Sequence, residues 1–575
     1  MLATVAFAQD EPEPEERTTV RVALNGYENN LTPFTATLAT FPKTIDLLTL
    51  VYDTLFWSPA DQDPEPWLAE SATPSEDSTE WTVRLRPDLR WHDGEALTAE
   101  DVAFSFEYWS TTAPPGRWTH HVTDVPPFEE AEVIDERTVR LRFGAPAPTF
   151  EILPGGDLPM VPEHIWADIE EPRQATDDLP VGSGPFKLVE IVPDQSYRFV
   201  ANEDYFKGPP LVDELQMPIV EDTNAAFQAL AADQVDLVTQ NVPPQVVERF
   251  ESADDIEVVR GSRFESTGLR FNTQNPPLDD PALRKAISLA IDHQDLVDRI
   301  LQGDGRPGND SWIHPDSAWA LPGADHELDP ERARRMLDEA GYGMGPDGVR
   351  LGPDDEPLEF TVLVSSLDTE RLRAIQLVAG QVEEVGVRLV PEALDPATIT
   401  QRTDPPAPGE PPRHDAEMGG FGLHAHTDPD NLYYFFHSPG PRGIGTRFTG
   451  YSNPQFDRLT EEATTLSAED RKPVLHEAQR IFAEEVPQLT FWYREGVYAY
   501  RPAAYAGWIT DPGHGIFTKR SFLEPYADTD AASAVVPGDG DATWIVVVVV
   551  LVLGAAVAVG VVVMRRRRGA SEGFE

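Results

Sequence analysis

The sequence predicts an α/β protein of two lobes followed by one C-terminal transmembrane helix, and three observations carry that expectation. Val-rich alternating stretches are interleaved with capped, apolar-striped helical stretches along the chain. A body of roughly 520 residues precedes the last apolar run, too long for one hydrophobic core and so expected to divide. From Trp544 to Met564 the chain carries no charge, and Arg565, Arg566, Arg567 and Arg568 stop the run.

Taken in order, the chain opens with "MLATVAFAQD", in which Ala6-Phe7-Ala8 precedes Gln9 as in a signal-peptidase site. The apolar part is short and no basic region precedes it, so the natural start is expected upstream and the mature chain near Gln9. Residues 1–17 are thus the remnant of a signal peptide and an acidic leader, "DEPEPEER", in which Pro and like charges oppose packing. "RTTVRVAL", "WTVRLRPDLR" and "TVRLRFGAP" alternate with period two and read as half-buried strands.

Helices are punctuated by their caps. Asp280 and Pro281 are an N-cap and first-turn pair, followed by one apolar stripe of Leu283, Ile287, Ala290, Ile291, Val297 and Ile300. Asp329 and Pro330 repeat the device, with Gly341 as the stop. A helix ended by Gly386 leads into a strand from Val387 to Leu394, a helix-then-strand unit that predicts a largely parallel sheet. Pro396 to His414 reads as a Pro-rich surface insertion, and 531–543 as a flexible stalk.

The terminal run is close to the roughly 20 residues needed to cross a bilayer core. Val, Leu and Ile each favour insertion by about 0.3 to 0.6 kcal/mol at the helix centre, so residues 544–564 are expected to span. Trp544 stands where an interfacial aromatic belongs, and the four arginines mark the cytoplasmic side. The tail 565–575 is therefore expected in the cytoplasm, with the body on the extracellular face of the cell membrane.

Composition narrows the classes. The 575 residues include no cysteine and carry a formal net charge of −54. Disulfides, thiolate metal sites, Cys nucleophiles and lipidation on Cys are excluded. Nucleic acid is excluded as a partner, because its phosphates repel so acidic a body. No nucleophile elbow or HExxH motif is present, and no enzyme activity and no cofactor are expected. An extracellular hydrolase and a sensor ectodomain are the competing classes. The second would need a separate signalling partner, since few residues follow the membrane helix.

One stretch resembles a known family closely. "PWLAESATPSEDSTEWTVRLRPDLRWHDGEALTAEDVAFSFEYW" (Pro66 to Trp109) is similar to the signature of the family 5 extracellular solute-binding proteins, the oligopeptide, dipeptide and nickel receptors of ABC importers. Trp91-His92-Asp93-Gly94 and Thr98-Ala99-Glu100-Asp101-Val102 match it, and "VGSGPFKLVE", "LRFNTQNPPLDDPALRKAISLAID", "TDPDNLYYFF" and "YSNPQFDRL" follow in the family's order. The matched residues themselves read as scaffold: a Gly turn after a strand, then a capping box with Thr98 as cap and Asp101 at N3.

The resemblance implies a two-lobed periplasmic-binding-protein-like clamp of class II type with an added subdomain. It implies a small solute or peptide as ligand, an ABC permease and its ATPase subunits as partners, and a monomer. Lobe I is expected at 18–270 with 488–530 returning to it, and lobe II at 271–487. "GLRFNTQN" (Gly268 to Asn275) and "PQLTFWY" (Pro487 to Tyr493) are the hinge candidates, which brings Asn272, Phe491, Trp492 and Tyr493 among the expected ligand-binding residues.

In peptide-binding members an Asp three residues before the D/E-P pair meets the peptide ammonium. Here that position is Ala425, and the preceding Trp position is Gly422. Peptide remains the first expectation, with Asp428, Asp430 or another cleft acid meeting the ammonium; a nickel or metal chelate and an oligosaccharide are the alternatives. His424, His426, Asp428 and Asp430 alternate as metal ligands could on an extended segment, although four ligands in one short strand rarely converge. Phe421, Tyr433 and Tyr434 could stack a sugar or side chain, or simply be core.

Overall fold

A computed structural model describes residues 18–26, 31–34, 42–58, 63–113, 118–123, 126–175, 179–403, 413–421, 430–438, 449–511 and 515–527. The expected signal remnant, stalk, membrane span and tail lie outside these residues. Among the described residues no helix is long and apolar enough to cross a membrane.

Two long strands organise the molecule. Glu257–Phe271 and Gln488–Tyr500 pair antiparallel, and each carries side chains into two different cores. Tyr498 and Tyr500 join a first core with Val20, Leu47, Trp91, Val102 and Phe199. Leu269, Phe271, Leu489, Phe491 and Trp492 join a second with Leu283, Ile287, Val362 and Ile375. Between the two ends the pairing loses register, from Ser262 opposite Glu495 to Glu265 opposite Arg494. Phe264 sits in that bulge at φ +53°, with its ring fully buried and stacked 4.1 Å from His314. A bulky residue at positive φ is rare. The expected boundary 270/271 falls in the last step of the first strand and 487/488 at the start of the second, both on the second-core side of the break.

Through this pair a single eleven-stranded sheet runs between the lobes. Its order is Arg388–Leu394, Glu359–Ser365, Ala416–Phe421, Glu257–Phe271, Gln488–Tyr500, Leu237–Val238, Thr19–Ala23, Glu214–Pro218, Ser196–Ala201 and Phe186–Val192, with Gly305–Pro307 pairing to Gln488–Tyr500 at the side. The sheet is mixed, not largely parallel. Thr19–Ala23 is parallel to both its neighbours, and so is Glu359–Ser365. The crossing pair and the hairpins of the first lobe are antiparallel. A separate four-stranded antiparallel sheet, Ala69–Pro74, Glu80–Leu85, Thr138–Phe143 and Phe128–Asp135, packs with the helix Ala99–Thr111 onto the first core.

Local signals form as the residues dictate. Thr98 caps Ala99–Thr111 by accepting from the Glu100 N–H, and Asp101 accepts from the Thr98 N–H at 2.9 Å, closing the capping box. Asp280 and Asp329 accept at 2.8 Å from the N–H groups of Ala282 and Arg332. The stripe from Leu283 to Ile300 is two helices, Pro281–Leu289 and His293–Ile300, because Asp292 caps the second by accepting from the Asp295 N–H at 2.9 Å. The insertion after Asp395 contains a helix, Pro396–Thr403.

The candidate ligand-binding cleft

Sheet topology places the cleft. In an open α/β sheet ligands bind beyond the carboxyl ends of the strands, where strand order reverses. Thr19–Ala23 is such a point in the first lobe, flanked by the later strands Glu214–Pro218 and Leu237–Val238 on opposite sides. Its carboxyl edge is Leu24 and Asn25, beside Thr239 and Gln240. Glu359–Ser365 is the equivalent in the second lobe, flanked by Arg388–Leu394 and Ala416–Phe421. Its carboxyl edge is Ser365 to Leu367, together with Phe421.

Both edges meet the crossing strands close to the register break. Phe421 lies opposite Ser266, which lies opposite Tyr493. In the first lobe the Val242 N–H donates to the Val497 carbonyl at 2.8 Å, and the Val497 N–H donates to Asn241 Oδ1 at 3.2 Å. Tyr493 and Val497 are four residues apart on one strand, about 13 Å at the usual rise. The two edges therefore face each other across a floor of small-ligand dimensions.

The floor is charged and internally paired. Arg306 binds Glu495 at 2.8 Å and Asp316 at 2.6 Å, and Arg494 pairs with Glu370. An aromatic cluster stands above it on the second lobe. The Phe421 ring is held edge-on by Trp312 at 5.3 Å, tilted against Phe435 at 4.6 Å, and covered by the Arg270 guanidinium at 4.4 Å. Ile152 of the first lobe packs on the same cluster, a contact between the lobes. Beside it, burial raises the pKa of the Glu151 carboxyl.

The expected site residues divide by position. Phe421 is at the second lobe's carboxyl edge, and Asp430 opens the helix Asp430–Phe436 that follows it. His424, His426 and Asp428 fall between them, outside the described residues. Tyr493 is on the floor, but its hydroxyl donates to Asn309 Oδ1 and the Trp312 carbonyl, each at 3.0 Å, and burial pushes its pKa well up. Phe491 and Trp492 are fully buried in the second core. Asn272 is at the opposite end of the second lobe's sheet, six residues or about 20 Å along the strand from Ser266. There its Nδ2 donates to the His414 carbonyl at 2.8 Å and its Oδ1 accepts from the Gln274 N–H, a turn. Among the described residues no group of three or more His, Asp or Glu is placed to hold a metal ion.

The first lobe's edge was absent from the sequence expectations. "DLVTQNVPP" shows only a strand running into a Pro-opened helix, and the pairing that brings Val238 beside Ala23 comes from residues more than 200 positions apart.

Residues 63–443 match the profile of the bacterial extracellular solute-binding proteins, family 5 Middle. The chain belongs to this family. The oligopeptide-binding protein AppA of Bacillus subtilis (strain 168) is 25% identical over 500 residues, which cover 84% of this chain and 88% of that protein. NikZ from Campylobacter jejuni, solved in complex with Ni(L-His), gives a TM-score of 0.72 at 21% identity over 84% of this chain and 94% of its own. A mannohexaose-bound periplasmic oligopeptide-binding protein from Thermotoga maritima gives 0.70 at 24% identity over 87% and 95%. This solute-binding protein therefore has the two-lobed α/β fold of periplasmic binding proteins.

Within it, the signature residues act as scaffold. His92 Nδ1 accepts from the Gly182 N–H at 3.3 Å, which leaves Nε2–H to donate to the Gly184 carbonyl at 3.0 Å. Gly182 approaches helix Pro42–Val51 so closely that a Cβ would lie 1.9 Å from the Val51 carbonyl oxygen. In this solute-binding protein the family motif thus serves as structural support for the first lobe.

Proposed function

We propose that this protein captures a peptide in the cleft between its two carboxyl edges, closes by rotation about the crossing strands, and delivers the peptide to an ABC permease and its ATPase subunits. The observation that carries this reading is the convergence of both edges on one register break. The bulge at 262–265 and the glycine pair Gly261 and Gly496, which face each other beside it, supply a hinge. Lobe I then runs from residue 18 to the bulge and returns near Gly496, five to eight residues from 270 and eight from 488. Ligand binding shifts the population toward the closed form, and the permease shifts it back.

The protein acts as a monomer held at the outer face of the cell membrane by residues 544–564, with 565–575 in the cytoplasm. The uncharged run and its arginine stop support this reading. The test has two arms. Native mass spectrometry of the full chain purified in detergent identifies what remains bound, and a set of short peptides is expected. Protease added to intact cells should digest the two-lobed body; protection would overturn the topology.

A metal chelate or an oligosaccharide is the second reading. It is favoured by the missing ammonium anchor at Ala425 and Gly422, and by His424 and His426 following the second lobe's edge. Retention of nickel or a glycan in the same spectrum would establish it over peptide.

A further inference from the structure

We propose that two arginines, one from each lobe, clasp the hinge by reaching across the register break to an acid of the opposite lobe, and that this clasp favours the closed clamp most at low salt. It rests on the hinge assigned above and adds to it the contacts that set the balance between open and closed.

The break falls between Ser262 and Glu265 on one crossing strand and between Glu495 and Arg494 on the other. Arg260 is on the first-lobe side, where its guanidinium binds Glu251 of the helix Pro244–Glu251 at 2.8 Å. Its Nε also lies 3.8 Å from Asp304, which leads into the second-lobe strand Gly305–Pro307. Arg306 repeats the arrangement from the other side. It binds Asp316 of its own lobe at 2.6 Å and, through Nε, Glu495 on the first-lobe side at 2.8 Å. The strand Gly305–Pro307 pairs with Arg494, Tyr493 and Trp492, all beyond the break, so Asp304 and Arg306 move with the second lobe. Each guanidinium thus has one partner that travels with it and one that does not.

That division makes the contacts a clasp. Rotation at the bulge leaves Arg260–Glu251 and Arg306–Asp316 intact, and parts Arg260 from Asp304 and Arg306 from Glu495. The lobes touch in this structure, through Ile152 on the aromatic cluster, so the crossing pairs belong to the closed arrangement. Arginine suits the role, since its planar fork of five N–H donors can hold two carboxylates at once. The four side chains are between 22% and 47% exposed, so each crossing pair contributes a factor of about 1.5 to 5 and is screened by salt. Salt also relieves repulsion between two acidic lobes, which acts in the opposite direction. The clasp is therefore measured as a difference between variants.

The experiment uses the full chain in detergent, without ligand. Spin labels are placed at Met344→Cys and Leu211→Cys, exposed positions on the second and first lobes of a protein with no cysteine of its own. Distances between the labels give the open-to-closed ratio at 10 mM and at 1 M NaCl. Asp304→Asn/Glu495→Gln removes both crossing partners and leaves each arginine the acid of its own lobe. At 10 mM this variant should raise the open-to-closed ratio about 2- to 20-fold over wild type, and the gap should narrow at 1 M. Glu70→Gln/Glu132→Gln loses the same two charges from the four-stranded sheet, where Arg84 and Arg140 pair within one lobe, and should not raise the ratio.

An equal or lower ratio in Asp304→Asn/Glu495→Gln than in wild type at 10 mM overturns the clasp while leaving the hinge intact. So does a gap of the same size at both salts, or a rise matched by Glu70→Gln/Glu132→Gln. One unchanging distance in all three proteins at both salts means that the lobes do not swing, and then the hinge itself fails and the clasp with it.

Discussion

Buried polar side chains in the first lobe carry strong consequences one residue at a time. Asp53 and Lys519 form a 2.7 Å ion pair at 0% and 1% side-chain exposure, and Trp67 Nε1, the Tyr205 hydroxyl and the Ser183 hydroxyl also donate to the Asp53 carboxylate. Asp53→Ala strands a buried ammonium, and should lower stability by about 3–5 kcal/mol in urea titration, with Asp53→Leu/Lys519→Met recovering most of it. His92 titrates instead. Burial lowers its pKa to about 4, and Nδ1 must stay unprotonated to accept from Gly182. The unfolded chain, with an ordinary His pKa near 6.5, binds the proton more readily over that window. Stability from His92 is therefore complete above about pH 6.5 and lost as pH falls toward 4, by at most about 1.4 kcal/mol per pH unit. The wild-type-minus-His92→Gln difference in urea stability should shrink from pH 7 to pH 5. None of this coupling is legible in sequence, because Asp53 and Lys519 are 466 positions apart.

Secondary-structure elements were the most legible level, and the reasons are local. Thr98 with Asp101, Asp280 with Pro281 and Asp329 with Pro330 each settle a helix start within one turn of chain, so the residues alone determine the outcome. Thr98→Ala should cost about 1 kcal/mol of stability. Gly182→Ala should cost more, about 1–3 kcal/mol or beyond, because the clash is with the backbone of Val51 and no rotamer relieves it. Thermal melts of the two variants should rank in that order, and the reverse ranking would contradict the close approach. The single stripe expected from Leu283 to Ile300 failed where apolar periodicity continued across Asp292, whose capping bond outweighed it. Phe491 and Trp492 lie in the second core, one of the two places that their sequence left open. Aromatic residues on a strand look alike whether they face a cleft or a core, and only the partner sheet decides.

At the scale of the whole molecule, the family and its two-lobed fold were readable from ordered motifs, whereas the cleft was not. Both of its edges are made by parallel neighbours that no local pattern pairs. Net charge is readable at this scale too. With 99 acidic residues against 45 Lys and Arg, self-repulsion opposes compaction. Raising NaCl from 10 mM to 1 M shortens the screening length from about 30 Å to 3 Å. The melting temperature should rise over that range, and a flat or falling profile would show that the ion pairs dominate.

The last described residues have their own mechanical meaning. Tyr526 lies stacked 6.1 Å over Trp67, with the Lys207 ammonium 4.1 Å from the same indole, and Lys519 is locked to Asp53 just before it. Whatever follows residue 527 thus departs from a riveted corner of the first lobe. If the chain beyond it is tethered as proposed, that half becomes the fixed jaw of a vice, and the capturing stroke falls to the other half. Dyes placed beyond Ala527 and at exposed Met344 would watch it swing.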